Sequence, residues 1–181
     1  MRKIKAGIAV LIVLFLSGCA TLTVSKGTFT QVELLPKVLL VDEIVLDKGV
    51  NLPQEEIIKG REILYNAFKK ELPDYEILLE KPAEGKNYLL AKVKITLVRK
   101  KRPSLIILFT NPLLSASLCN AELTLYFCQD NLSQTEVFKT HFSNKGAVAA
   151  GGSLRADYYA CHYLLEKLVQ RTAKEINRLR Q

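Results

Sequence analysis

The chain has 181 residues, 49% of them hydrophobic and 24% charged, with a formal net charge of +8. That length suits one domain with a sizeable core. The composition excludes a disordered chain, a collagen-like repeat and a disulfide-dense miniprotein.

The first element is an address. Arg2, Lys3 and Lys5 make a positive start, and Ala6 to Leu16 is an apolar run broken only by Gly7. Eleven residues of helix span about 16 Å, roughly half the hydrocarbon core of a bilayer. Small Ser17 and Gly18 precede Cys19, which completes the pattern of a secretory signal over residues 1–18. Leu16-Ser17-Gly18-Cys19 resembles the lipobox of bacterial lipoproteins. The resemblance implies diacylglyceryl modification of the Cys19 thiol, cleavage before it and acylation, as with palmitate, of the new amino group. Membrane lipid on Cys19 is then the anchor, and no other cofactor and no metal is expected. Ala20 follows where an Asp tends to retain such proteins at the inner membrane. For a Gram-negative source this implies the outer membrane, facing the periplasm.

Without residues 1–18 the chain keeps 23 basic and 18 acidic residues, a charge of +5 over 163 residues. That excess suits an anionic membrane surface or an acidic partner. Nucleic acid is not expected, because no aromatic-plus-basic RNA motif appears.

Residues 19–36 read as the lipidated cysteine and a tether, and 37–181 as a single periplasmic domain. Val38 to Leu46 predicts a strand, and Asp47-Lys48-Gly49 a turn. A helix opens near Asn51 to Pro53, with Glu55 and Glu56 complementing its dipole. Ile57, Leu64, Ala67 and Phe68 form its apolar stripe, and Pro73 stops it. Tyr75 to Leu79 is a short strand and Lys81 to Asn87 a loop.

Leu89, Ala91, Val93, Ile95 and Leu97 alternate with Leu90, Lys92, Lys94 and Thr96. Cys119, Ala121, Leu123, Leu125 and Phe127 alternate with Asn120, Glu122, Thr124 and Tyr126. These predict two half-buried antiparallel strands, with Lys92 and Lys94 placed to pair across strands with Glu122. Gln129 to Ser133 reads as a hairpin turn and Thr135 to Phe142 as the next strand. Gly- and Ala-rich residues from Asn144 to Ser153 lead into a long helix, with Ser153 as N-cap and an apolar stripe through Leu154, Tyr158, Cys161, Leu165, Leu168, Thr172, Ile176 and Leu179. The order β-α-β-β-β-β-α predicts an α+β domain of two layers, a mostly antiparallel sheet with two helices on one face.

No catalytic constellation is present. His141 and His162 are the only histidines, and there is no H-x-x-H, C-x-x-C or G-x-S-x-G. Cys161 and His162 point about 100° apart on a helix, which is poor for shared ligation. Asp42 and Glu43 are neighbours in a strand and face opposite ways. Gly146 to Ser153 has P-loop spacing, but Gly152 stands where the essential Lys belongs, so the segment reads as a hinge. With lipid on Cys19, three thiols remain, Cys119, Cys128 and Cys161. Cys119 and Cys128 lie nine residues apart in one strand, about 30 Å, which is too far for a disulfide. Cys161 is placed to bridge to either. Burial as free thiols is the expected state of Cys119 and Cys161.

The candidate interaction surface is a basic cluster, Arg99, Lys100, Lys101 and Arg102, followed by apolar Leu105, Ile106, Ile107, Leu108 and Phe109 at the tip of a hairpin. Three roles stay open for the tip: core beneath the helices, an interface with another protein, or a dip into the bilayer with the basic cluster at the headgroups. A pore stave is disfavoured, since residues 105–109 lack a polar face.

Taken together, the strand Val38–Leu46, the helix after Leu52-Pro53, the alternating pair 88–98 and 119–128 and the Gly-rich lead into the last helix resemble small bacterial lipoproteins whose domain is similar to the N-terminal domain of TolB and the periplasmic domain of CsgG. That resemblance implies envelope assembly or secretion work without catalytic residues. The expectation is a non-enzymatic, membrane-anchored accessory or structural subunit that contacts an envelope protein or itself. A small-ligand or lipid carrier is the alternative.

Overall fold

The computed structural model describes residues 35–101, 115–129, 133–149 and 156–179. Strand β1 (Val38–Leu46) leads through a turn into helix α1 (Gln54–Glu71), short strand β2 (Glu76–Leu78), three long strands β3 (Tyr88–Lys101), β4 (Ser115–Gln129) and β5 (Ser133–Ala149), and helix α2 (Ala156–Leu179). One five-stranded sheet runs in the order β2-β1-β3-β4-β5. It is mixed: β1 is parallel to β2 and β3, while β3, β4 and β5 are antiparallel neighbours. Both helices lie on one face, α1 over β1 and β2 and α2 over β3, β4 and β5, and they pack on each other.

Local chemistry explains the boundaries. Gly49 takes φ 86°, which a residue with a Cβ rarely adopts, so the chain reverses after β1 and the Val50 amide donates to the Asp47 carbonyl at 3.0 Å. Pro53 caps α1 from a non-helical conformation, and Glu55 and Glu56 face the positive end of the dipole. At the other end the Leu72 amide donates to the Phe68 carbonyl at 2.8 Å before Pro73 stops the helix.

The core is built from period-two strand positions and a helical stripe. Leu39, Val41, Leu89, Ala91, Val93, Ile95, Ala121, Leu123, Leu125 and Phe142 face Leu64, Phe68, Cys161, Leu164, Leu165, Leu168 and Ile176. α1 approaches closely at Gly60: a Cβ there would stand 2.8 Å from Ile44 Cδ1 and 3.2 Å from Leu165 Cδ1.

Two expectations change. The Gly- and Ala-rich lead into α2 is strand, not hinge, as far as Ala149: Ala147, Val148 and Ala149 pair with Ser117, Ala116 and Ser115. The outer reach of β4 has ladder groups to satisfy, and small or β-branched residues fit there. No phosphate-binding loop therefore forms at 146–149. Leu97, expected on the core side, is displaced by an irregularity between Ile95 and Leu97 that leaves Thr96 as the extra residue of β3. Its hydroxyl donates to the Asn120 carbonyl at 3.4 Å. Leu97 then pairs with Asn120 on the outer face, and Val98 packs toward the core instead.

Candidate interaction surface

The sheet has a second face, turned away from the helices. It has two parts. At one end Leu40, Tyr88, Leu90 and Cys128 are buried, with Val38, Leu78 and Tyr126 packed against them. Burial pushes the Tyr88 phenol and the Cys128 thiol above their ordinary values, and the two groups share a hydrogen bond.

Beyond them Lys92, Lys94 and Lys139 share this face with Glu122 and His141. Register sets up cross-strand rows Lys92–Thr124–Lys139 and Lys94–Glu122–His141, then Leu97–Asn120–Ser143, Arg99–Leu118–Lys145 and Lys101–Ala116–Val148. The extra residue Thr96 decides this. Without it Leu97 would stay on the helix side of β3; with it Leu97 turns to the outer face and Val98 to the core.

The ion pairs differ from those expected. Lys94 lies opposite Glu122 in register but binds Asp47 at 3.1 Å, while Glu122 takes Lys139 at 2.7 Å. Lys92 donates to Gln134 Oε1 at 3.1 Å and lies over the Tyr126 ring, 5.2 Å from its centroid. The hydrogen bond from Lys94 is the first cause holding the Asp47 carboxyl below its usual range, and the Glu122 carboxylate holds the Lys139 amine above its own. These groups are exposed, so each pair contributes little to stability. Their consequence is electrostatic: the carboxylates neutralise Lys94 and Lys139 locally.

Two proteins of known structure share the fold. PelC from Paraburkholderia phytofirmans, solved as a dodecamer, superposes with a TM-score of 0.50 at 11% sequence identity, covering 83% of this chain and 94% of that one. Protein XCC0632 from Xanthomonas campestris, of family DUF330, superposes with a TM-score of 0.50 at 11% identity, covering 81% of this chain and 88% of that one. No family model matches the sequence, and no curated protein sequence matches it.

The sequence-predicted residues are only partly brought together. Arg99, Lys100 and Lys101 end β3, while Arg102, Leu105 to Phe109 and Cys19 lie outside the described residues. Lys139 joins this face from β5; nothing in its local sequence signals it, because only strand register places it there. Cys161 and His162 part as expected. Cys161 turns into the core, whereas His162 Nε2 meets Glu56 Oε2 of α1 at 3.2 Å. Among the described residues no group of three metal-ligating side chains occurs, and no helix is long and apolar enough to cross a membrane. A cleft at the C-terminal ends of the helices has a charged lining that includes Glu71, Arg171, Lys174, Glu175 and Arg178.

Proposed function

We propose that this chain is a non-enzymatic, lipid-anchored protein of the bacterial cell envelope, an accessory or structural subunit of an assembly or secretion complex, held at the outer membrane and facing the periplasm. The observation that carries the reading is Leu16-Ser17-Gly18-Cys19 directly after a positive start and an eleven-residue apolar run. Several acyl chains on one residue anchor firmly, since each buried methylene contributes about 0.8 kcal/mol and a single chain is marginal. The resemblance that the sequence carries to lipoproteins with TolB- and CsgG-like domains supports the same compartment.

A subunit needs a contact surface, and two features support one. β5 is an edge strand of 17 residues in the sheet, and an edge strand is a natural place for strand addition. Past Thr96, β3 leads into the Arg99–Phe109 segment that the sequence singles out. A protein with this fold, PelC, was solved as a dodecamer, which favours self-association among the possible contacts.

The test has two parts. Cells supplied with labelled palmitate should label the wild-type chain and not Cys19→Ser; an unlabelled wild type removes the anchor and the reading with it. The detergent-extracted full chain should then show a defined multiple of the protomer mass by light scattering, lost on Leu105→Lys with Ile107→Lys. A monomer that copurifies with lipid makes the protein a carrier instead.

A further inference from the structure

Cys119 and Cys161 meet across the two layers. Cys119 is on β4, Cys161 is in the second turn of α2, and α2 packs on β4. The two residues are 1% and 3% exposed and sit in the same core cluster. Their side chains are in hydrogen-bonding contact. Both are free thiols in the structure, and a bond between them requires Cα atoms about 4.4–6.8 Å apart.

The third thiol is excluded from this pair by the pleat. Cys128 is on the same strand as Cys119 but on the opposite face, buried with Leu40, Tyr88 and Leu90. Nine residues of strand put it about 30 Å away. Metal binding does not explain the pair either, since no third ligating side chain joins it among the described residues.

We propose that Cys119 and Cys161 form a disulfide when the chain folds in an oxidising compartment, fastening the start of α2 to the middle of the sheet and leaving Cys128 as the lone thiol. The pairing follows from the fold alone; the compartment rests on the export reading of residues 1–18.

The chemistry needs a disulfide oxidant, such as oxidised glutathione or an exchange protein. One protein thiol loses its proton and attacks the oxidant, forming a mixed disulfide and releasing one small thiol. The second protein thiol loses its proton and attacks the mixed disulfide, releasing the other. Two protein thiols are oxidised and one small disulfide is reduced to two thiols. The thiolate is the attacking species, and contact with Cys161 together with burial keeps the Cys119 thiol protonated in the folded chain. Exchange therefore proceeds during folding, or when the start of α2 lifts, and is slow in the closed native protein.

The full chain carrying Cys19→Ser, refolded from denaturant in a reduced and oxidised glutathione mixture, tests this. After denaturation and alkylation, peptide mass mapping should find Cys128 alkylated and Cys119 linked to Cys161, the link opening only on reduction. Closing a loop of that size should raise Tm by about 10 °C over the reduced protein. Cys128→Ser should change neither result. Alkylated Cys119 and Cys161, or a link that includes Cys128, overturns the proposal.

Discussion

Arg61 of α1 donates from Nη2 to the carbonyl oxygen of Val41 at 3.0 Å, and from Nε to the same oxygen at 3.3 Å. Val41 stands where the register of β1 against β3 slips, between Val41 and Ile44. A slip disturbs the ladder locally and leaves backbone groups in need of other partners. The same guanidinium donates to the carbonyl of Leu79, just past β2. One side chain thus ties the helix to two strands. Arg61→Ala should lower stability by about 1.5–3 kcal/mol, since it removes charge-assisted hydrogen bonds to partly buried acceptors. Arg61→Lys should recover only part, because an ammonium lacks the planar fork. Urea midpoints at unchanged m-value measure both.

Gly60 is the next neighbour on α1. Helix propensity alone favours Ala there by about 1 kcal/mol. The space does not: a Cβ would lie 2.8 Å from Ile44 Cδ1 and 3.2 Å from Leu165 Cδ1. Overpacking of this kind costs about 1–3 kcal/mol, so Gly60→Ala should be net destabilising. Combining it with Ile44→Val, which deletes the nearest methyl, should return part of the loss. Additivity of the two substitutions in thermal melts speaks against the contact.

His162 sets a pH dependence. Burial holds its imidazole below the usual histidine value, and the nearby Glu56 carboxylate only partly opposes that, with Lys59 adding to the lowering and Glu166 opposing it. The unfolded chain, whose histidine titrates near 6.5, then binds more protons than the folded one between the two values. Stability is therefore intact above about pH 6.5 and falls as pH drops through that range toward the folded value. His162→Gln should flatten this limb of the stability curve while leaving the steeper acid limb of the carboxylates. An unchanged slope between pH 7 and 5.5 contradicts the assignment.

Thr140 is fully buried beneath the helices, and its hydroxyl has no hydrogen-bond partner among the described residues. Val has nearly the same shape without the stranded polar group. Thr140→Val should leave stability unchanged or raise it by about 1 kcal/mol. A loss larger than that in a denaturant titration means the hydroxyl is bonded in solution.

Periodicity alone carries much of this molecule. VLLVDEIVL marks β1, the alternation around Val93 and Leu123 marks the central antiparallel pair, and the stripe through Leu165, Leu168 and Ile176 marks α2. These signals are local, because burial of one face imposes a period of two on a strand and 3.6 on a helix. The separation of Cys119 from Cys128 and the parting of Cys161 from His162 follow from the same local geometry.

The rest depends on which strand lies beside which. Gly146 to Ala149 reads as a hinge by composition, and becomes strand only because Ser115 to Ser117 lie alongside it. Asp47 takes Lys94 away from Glu122 because β1 ends beside the middle of β3. One extra residue at Thr96 turns Leu97 to the outer face, opposite Asn120 of β4. The meeting of Cys119 with Cys161 spans residues 42 positions apart in sequence. Register and layer packing are non-local, set by the sum of many cross-strand contacts, and no window of residues contains them.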